Sequence, residues 1–166
     1  MTFDPSEMNV IDRRQVEVMI LGPMLRAFQD EVGVEKTNEI ARTVITKLAR
    51  EQGSQFAKGI GANGLKDYAS NKDAWRRHGA LEVEVIESTV SAYSFDVTRC
   101  KYAEMYNELG FGDLGDIFSC TRDFEFCGGF NPDVKLERTQ TIMQGASHCD
   151  FRYTLDITES SPPPNN

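Results

Sequence analysis

The sequence predicts an α+β domain: N-terminal helices followed by a mostly antiparallel sheet of about four strands with inserted helices. Three observations predict it. Apolar residues recur at helical spacing through the N-terminal half. From Leu81 the period drops to two. Short polar or glycine-containing turns then separate the alternating runs, which is the mark of antiparallel hairpins.

Taken in order, residues 1–10 show no periodicity and read as a flexible arm. From Ile11 to about Val32, the residues Val16, Met19, Leu25, Phe28 and Val32 recur at helical spacing, and Pro23 predicts a kink or a split. A second helix spans about Val34 to Gln52, where Ile40, Val44 and Leu48 form an apolar stripe and Gly53 stands at the expected C-terminal cap. Phe56, Leu65, Tyr68 and Trp75 predict short helices up to Gly79. LEVEVIE (81–87) and TVSAYSFDVT (89–98) alternate strictly and predict a hairpin. CKYAEMYNELG (100–110) reads as a helix, and another is expected over Leu114 to Phe124. VKLERTQTIM (134–143) and CDFRYTLDI (149–157) read as two further strands turning at Gly145. One domain over 11–157 is expected, and the tail at 158–166, rich in Ser, Pro and Asn, is expected to be disordered.

The chain has 166 residues, enough to bury a core without disulfides. Its net charge of −8 argues against nucleic acid and anionic membrane surfaces as partners. No run approaches the roughly 20 apolar residues of a membrane-spanning helix. The first residues lack the apolar stretch of a secretory signal. Cys100, Cys120, Cys127 and Cys149 are therefore expected to be reduced thiols in a cytoplasmic protein.

Two motifs are set aside on physical grounds. GIGANG (59–64) has the glycine spacing of a dinucleotide-binding loop, but a helical pattern precedes it where that motif requires a strand. His78 precedes Gly79 at an expected helix end, where it complements the helix dipole.

The cysteines carry more chemistry. Cys100 stands at a strand-to-helix junction, where backbone N–H groups favour a thiolate. Cys120 and Asp123 share a helix face. Taken singly, each cysteine is a common buried apolar residue. In GASHCDFRY (145–153), strand alternation puts Cys149 with Phe151 and Tyr153, and sends Asp150 and Arg152 to the opposite face. Asp150 therefore points away from Cys149, and His148 reaches the thiol only if the strand starts late and the turn bends back, so a partner is expected from another element, such as Asp123.

The runs VTRCKYAE, CTRD, FNP, LERTQTIMQGA and CDFRY resemble the L-2-amino-thiazoline-4-carboxylic acid hydrolase family. The resemblance covers roughly residues 10–153 and is most specific from Phe95 onward. It implies a hydrolase that opens a small heterocycle at a cyclic amidine or thiazoline C–N or C–S bond. It places the pattern's thiols on Cys100, Cys120 and Cys149, its acids on Asp123 and Asp150, and a basic residue on Arg138. Cys127 falls outside the pattern.

The expected mechanism is covalent. Cys149 attacks the ring carbon between nitrogen and sulfur, Asp123 or His148 moves the proton, and Cys120 completes the centre. Arg138 is expected to bind a substrate carboxylate, with Cys100 and Asp150 lining the substrate site. No cofactor is expected. The alternatives are zinc held by Cys100, Cys120 and Cys149, and a small-molecule-binding or sensor domain without chemistry. A small molecule is the expected partner, and a homo-oligomer is left open.

Overall fold

The computed structural model describes residues 8–70 and 73–156, so most of the expected arm and the whole expected tail lie outside the described residues. Helix α1 (Val10–Val32) turns through Gly33, at φ 91°, into α2 (Val34–Ile60). Short helices α3 (Leu65–Ser70) and α4 (Asp73–Arg76) lead to the hairpin of β1 (Leu81–Ser88) and β2 (Ala92–Cys100). Then come α5 (Lys101–Glu108), a 3-10 turn, a π-helical turn over Asp116–Cys120, α6 (Arg122–Phe130), β3 (Val134–Glu137) and β4 (Cys149–Leu155). The sheet order is β1-β2-β4-β3, and every pair is antiparallel. The α+β class, the N-terminal helices and the four-stranded sheet are as the sequence predicts.

Four local expectations are corrected. Pro23 neither kinks α1 into two elements nor ends it. Pro23 and Met19, one turn back, both stand on the exposed side, so water can satisfy the carbonyl that the missing N–H leaves free. Gly53 does not cap α2, which runs on to Gly61 in the left-handed conformation, φ 66°. Gly53 is instead where α2 meets α6, since a Cβ there would lie 2.1 Å from the carbonyl oxygen of Phe126. The helix expected over 114–124 is two pieces: the π turn, with one residue more per turn, and α6, which begins at Arg122. Strand β3 stops at Glu137 because the Thr139 and Gln140 N–H groups turn to the Asp150 carboxylate, at 3.0 and 2.9 Å.

One sheet face carries the core. Tyr93, Phe95 and Val97 on β2 pair in register with Tyr153, Phe151 and Cys149 on β4. These residues pack with Leu65, Tyr68, Cys127 and Phe130. A second cluster, around Val18, Ile45, Tyr106 and Ile117, joins α1, α2, α5 and the π turn. Asp150 and Arg152 project from the other face, where Arg152 pairs with Asp96 at 2.8 Å.

Of the apolar stripes of the first two helices Leu25 packs inward, against the second cluster, and the other residues point outward. Val16, Met19, Phe28, Val32, Ile40, Val44 and Leu48 are about half exposed, whereas Val18, Gly22, Ile45, Ala49 and Gly53 face the protein. Gly53 lets α2 approach α6 closely and Gly22 lets α1 approach Phe111, so the inner sides carry small residues while larger apolar ones stand outside. Periodicity alone therefore picks the larger, outer residues.

Candidate functional site

A cavity of about 570 Å³ lies between the two core clusters. Its floor is the buried sheet face, with Tyr93, Phe95, Val97, Cys149 and Phe151. Phe56, Tyr68, Trp75, Tyr102 and Phe126 from the helices complete an aromatic wall. The polar lining enters from α1 with Arg13 and Arg14, from α2 with Gln52, and from the π turn and α6 with Cys120, Arg122 and Asp123.

Five residues expected in the site line this one cavity: Cys100, Cys120, Asp123, Arg138 and Cys149. They arrive on separate elements. Cys100 ends β2, Cys120 ends the π turn, Asp123 opens α6, Arg138 follows β3 and Cys149 opens β4. His148 and Asp150 are not part of the lining. The His148 ring contacts Gln140 and Ser147 on the polar side, with Asp96 at 3.9 Å. Asp150 accepts from the Thr139 hydroxyl at 2.7 Å as well as from the two N–H groups after β3, and these bonds hold its pKa below the usual carboxylate value against the effect of burial. It fixes the loop that carries Arg138, and so acts on the cavity from behind.

Arg138 is held by an ion pair and a second hydrogen bond. Its Nη1 donates to Asp123 Oδ2 at 2.6 Å and its Nη2 to the Cys120 carbonyl at 3.0 Å, and its side chain is 5% exposed. The guanidinium lies 5.0 Å from the ring centroids of both Phe124 and Phe151. The group expected to bind a substrate carboxylate thus orients Asp123 and closes the turn before α6.

Of the cavity thiols Cys149 is buried and Cys100 and Cys120 are half-buried, and desolvation favours the protonated form of each. Burial lifts Cys149, and the Ile142 N–H, donating to Sγ at 3.2 Å, and the Arg138 charge only partly offset it. Burial also lifts Cys120, with the Asp123 charge adding to the effect. Cys100 goes up to about 11: the N–H groups of Ala103 and Tyr102 favour its thiolate as the junction predicts, and desolvation outweighs them. All four cysteines are free. Among the described residues no three His, Cys, Asp or Glu side chains are grouped to hold a metal ion, although three thiols share the cavity.

Residues that the sequence reading missed form the other polar end. Arg122 is 9% exposed, and its Nη2 donates to Gln52 Oε1 at 2.6 Å. Desolvation, with the neighbouring Arg14 charge, pulls its pKa down to about 10. Arg14 is buried and bonds Glu17. The signal for Arg122 was present, since it occupies the R of CTRD, between the two residues that were singled out. Arg13 and Arg14 sit in a helix whose stripe gave no reason to look there.

Comparison with known proteins bears on this geometry. No curated protein matches the chain. A solved structure of a trafficking protein particle complex subunit 3 from Naegleria fowleri, covalently bound to palmitic acid, superposes with a TM-score of 0.52 at 12% identity, over 87% of this chain and 95% of that one. The phenol-responsive sensory domain of the transcription activator PoxR, solved with phenol, superposes with a TM-score of 0.52 at 9% identity, over 84% of this chain and 75% of that one. These likenesses are of fold. The profile described as L-2-amino-thiazoline-4-carboxylic acid hydrolase matches residues 13–153, which include every residue of the cavity named above. The chain belongs to the L-2-amino-thiazoline-4-carboxylic acid hydrolase family.

Proposed function

We propose that the cavity is the active site of a hydrolase that opens a small cyclic amidine or thiazoline at a ring C–N or C–S bond. The observation that carries this reading is the convergence of Cys149, Cys120, Asp123 and Arg138, from separate elements, on one cavity of a chain in this family. Because burial keeps the thiols protonated, nucleophilic attack requires a base. Asp123, oriented by Arg138, is the carboxylate on the cavity lining. It takes the Cys149 proton as Sγ bonds to the carbon between nitrogen and sulfur. Collapse of the adduct breaks a ring bond, and the departing atom receives that proton. Water then adds to the enzyme-bound carbon and Cys149 leaves as a thiol. Replacing Cys149 by Ser should abolish turnover of 2-amino-thiazoline-4-carboxylate, followed by product mass, and Asp123→Asn should lower it by about 10²–10⁴. Near wild-type turnover by Cys149→Ser would sink the covalent route.

A second reading, a ligand-binding or sensor domain without chemistry, is favoured by the same protonated thiols and by the largely aromatic wall. Tight binding with no product across a panel of cyclic amidines and thiazolines would select it.

A further inference from the structure

The cavity lining contains five arginines, Arg13, Arg14, Arg76, Arg122 and Arg138, and one carboxylate, Asp123, in a chain whose net charge is −8. That concentration is the reverse of the molecule's overall balance. The acids whose charges reach Arg122 are Glu17 and Asp123, and each is already ion-paired, to Arg14 and to Arg138. Arg122 itself bonds the neutral Gln52, and among the described residues it makes no ion pair. Arg13 has a buried Nε without a hydrogen-bond partner and likewise pairs with no acid among the described residues. A guanidinium removed from water without a counter-charge is costly, and an anion entering the cavity removes that cost.

The rest of the lining sets the shape of the anion. Eight aromatic side chains, among them Trp75, Phe95 and Phe151, face about 570 Å³. That volume lies within the range that encloses a drug-sized ligand. A single small heterocycle with its carboxylate fills only a fraction of it.

We infer that the cavity takes a carboxylate joined to a bulky apolar body, with the anion on Arg122 and Arg13 and the body along the aromatic wall. The assignment rests on the reading of the same cavity as the active site, and it extends that reading by naming a substrate larger than the ring in the family's description. Arg122 lines the same cavity as Asp123, Cys120 and Cys149, so a ligand whose carboxylate rests on Arg122 shares that space with them.

Calorimetric binding to the intact protein, with the Cys149→Ser protein beside it to separate binding heat from turnover, tests it. The probes are 2-amino-thiazoline-4-carboxylate, a phenyl-substituted homologue of it, and the methyl ester of each. The substituted acid should bind at least about tenfold more tightly than the parent acid, and each acid at least about tenfold more tightly than its ester. Arg122→Gln should erase the acid-over-ester preference, and Arg13→Gln, which leaves α6 intact, should reduce it. Equal binding of acid and ester, preference retained in both variants, a parent acid as tight as its homologue, or no binding by any acid would overturn the inference. Acids that bind as expected and yield no product would instead overturn the hydrolase reading and leave this one standing.

Discussion

Each cavity thiol makes a compromise that a titration can read. Cys100 is the clearest, raised from an ordinary 9.0 to about 11 by desolvation, with two helix N–H groups pulling the other way. The sign for stability follows from linkage. Below pH 9 the thiol is protonated in both the folded and the unfolded chain and contributes nothing. As pH rises above 9 the unfolded chain gives up the proton while the folded one keeps it, so folding stability falls between pH 9 and about 11. Burial shifts Cys120, Cys149 and the tyrosines Tyr102 and Tyr106 in the same direction, which adds to the loss. Urea unfolding should therefore give one midpoint from pH 6 to 8 as far as these groups are concerned, and a falling midpoint above 9. In Cys100→Ala the alkaline fall should be shallower. An unchanged slope in that variant would remove Cys100 from the account.

At the scale of elements, the α2–α6 crossing decides where the cavity's polar wall stands. A Cβ on Gly53 would lie 2.1 Å from the Phe126 carbonyl oxygen, and one on Gly129 would lie 2.0 Å from that of Arg50. Both obstacles are backbone, so the helices must separate, and α6 carries Arg122 and Asp123 with it. Gly53→Ala and Gly129→Ala should each cost about 1–3 kcal/mol in chemical denaturation, since overpacking outweighs the helix-propensity gain. Gly59→Ala, in the same helix with open space around it, should instead stabilise by up to about 1 kcal/mol. Destabilisation by all three alike would remove the close approach as the cause. The same crossing explains what the sequence made legible. Strand alternation placed Cys149 with Phe151 and Tyr153 and turned Asp150 away, because a period of two has one reading once a strand is recognised. The motif residues Cys120, Asp123 and Arg138 were legible too, although their mutual bonding was not. Helix faces were misread because large apolar residues stand on the exposed side of α1 and α2, while small residues and glycine, invisible to a hydrophobic pattern, mark the inner side of α2. The arginines of α1 were missed for the same reason: with the wrong face taken as the inner one, Arg14 reads as a solvent residue.

The whole molecule presents that misread face to water. Along α1, Val16, Ile20, Met24 and Phe28 recur every fourth residue, each about half exposed, and Ile40, Val44 and Leu48 repeat the pattern on α2. With Met19, Leu21, Val32 and Val34, eleven large apolar residues of the two helices are between 37% and 61% exposed, more than the scattered single apolar residues usual on a monomer's surface. A second copy of this chain supplies a matching apolar surface by two-fold symmetry, with no other species needed. A dimer through α1 and α2 would also fix the helix that carries Arg13 and Arg14 into the cavity. Sedimentation equilibrium at micromolar concentration should give twice the monomer mass, and the paired change Ile20→Asp with Val44→Asp should give the monomer with unchanged helical circular dichroism. Because both positions are exposed in the isolated chain, the substitutions leave its core untouched. A wild-type protein that sediments as a monomer, or a variant that remains dimeric, would exclude this face as the contact.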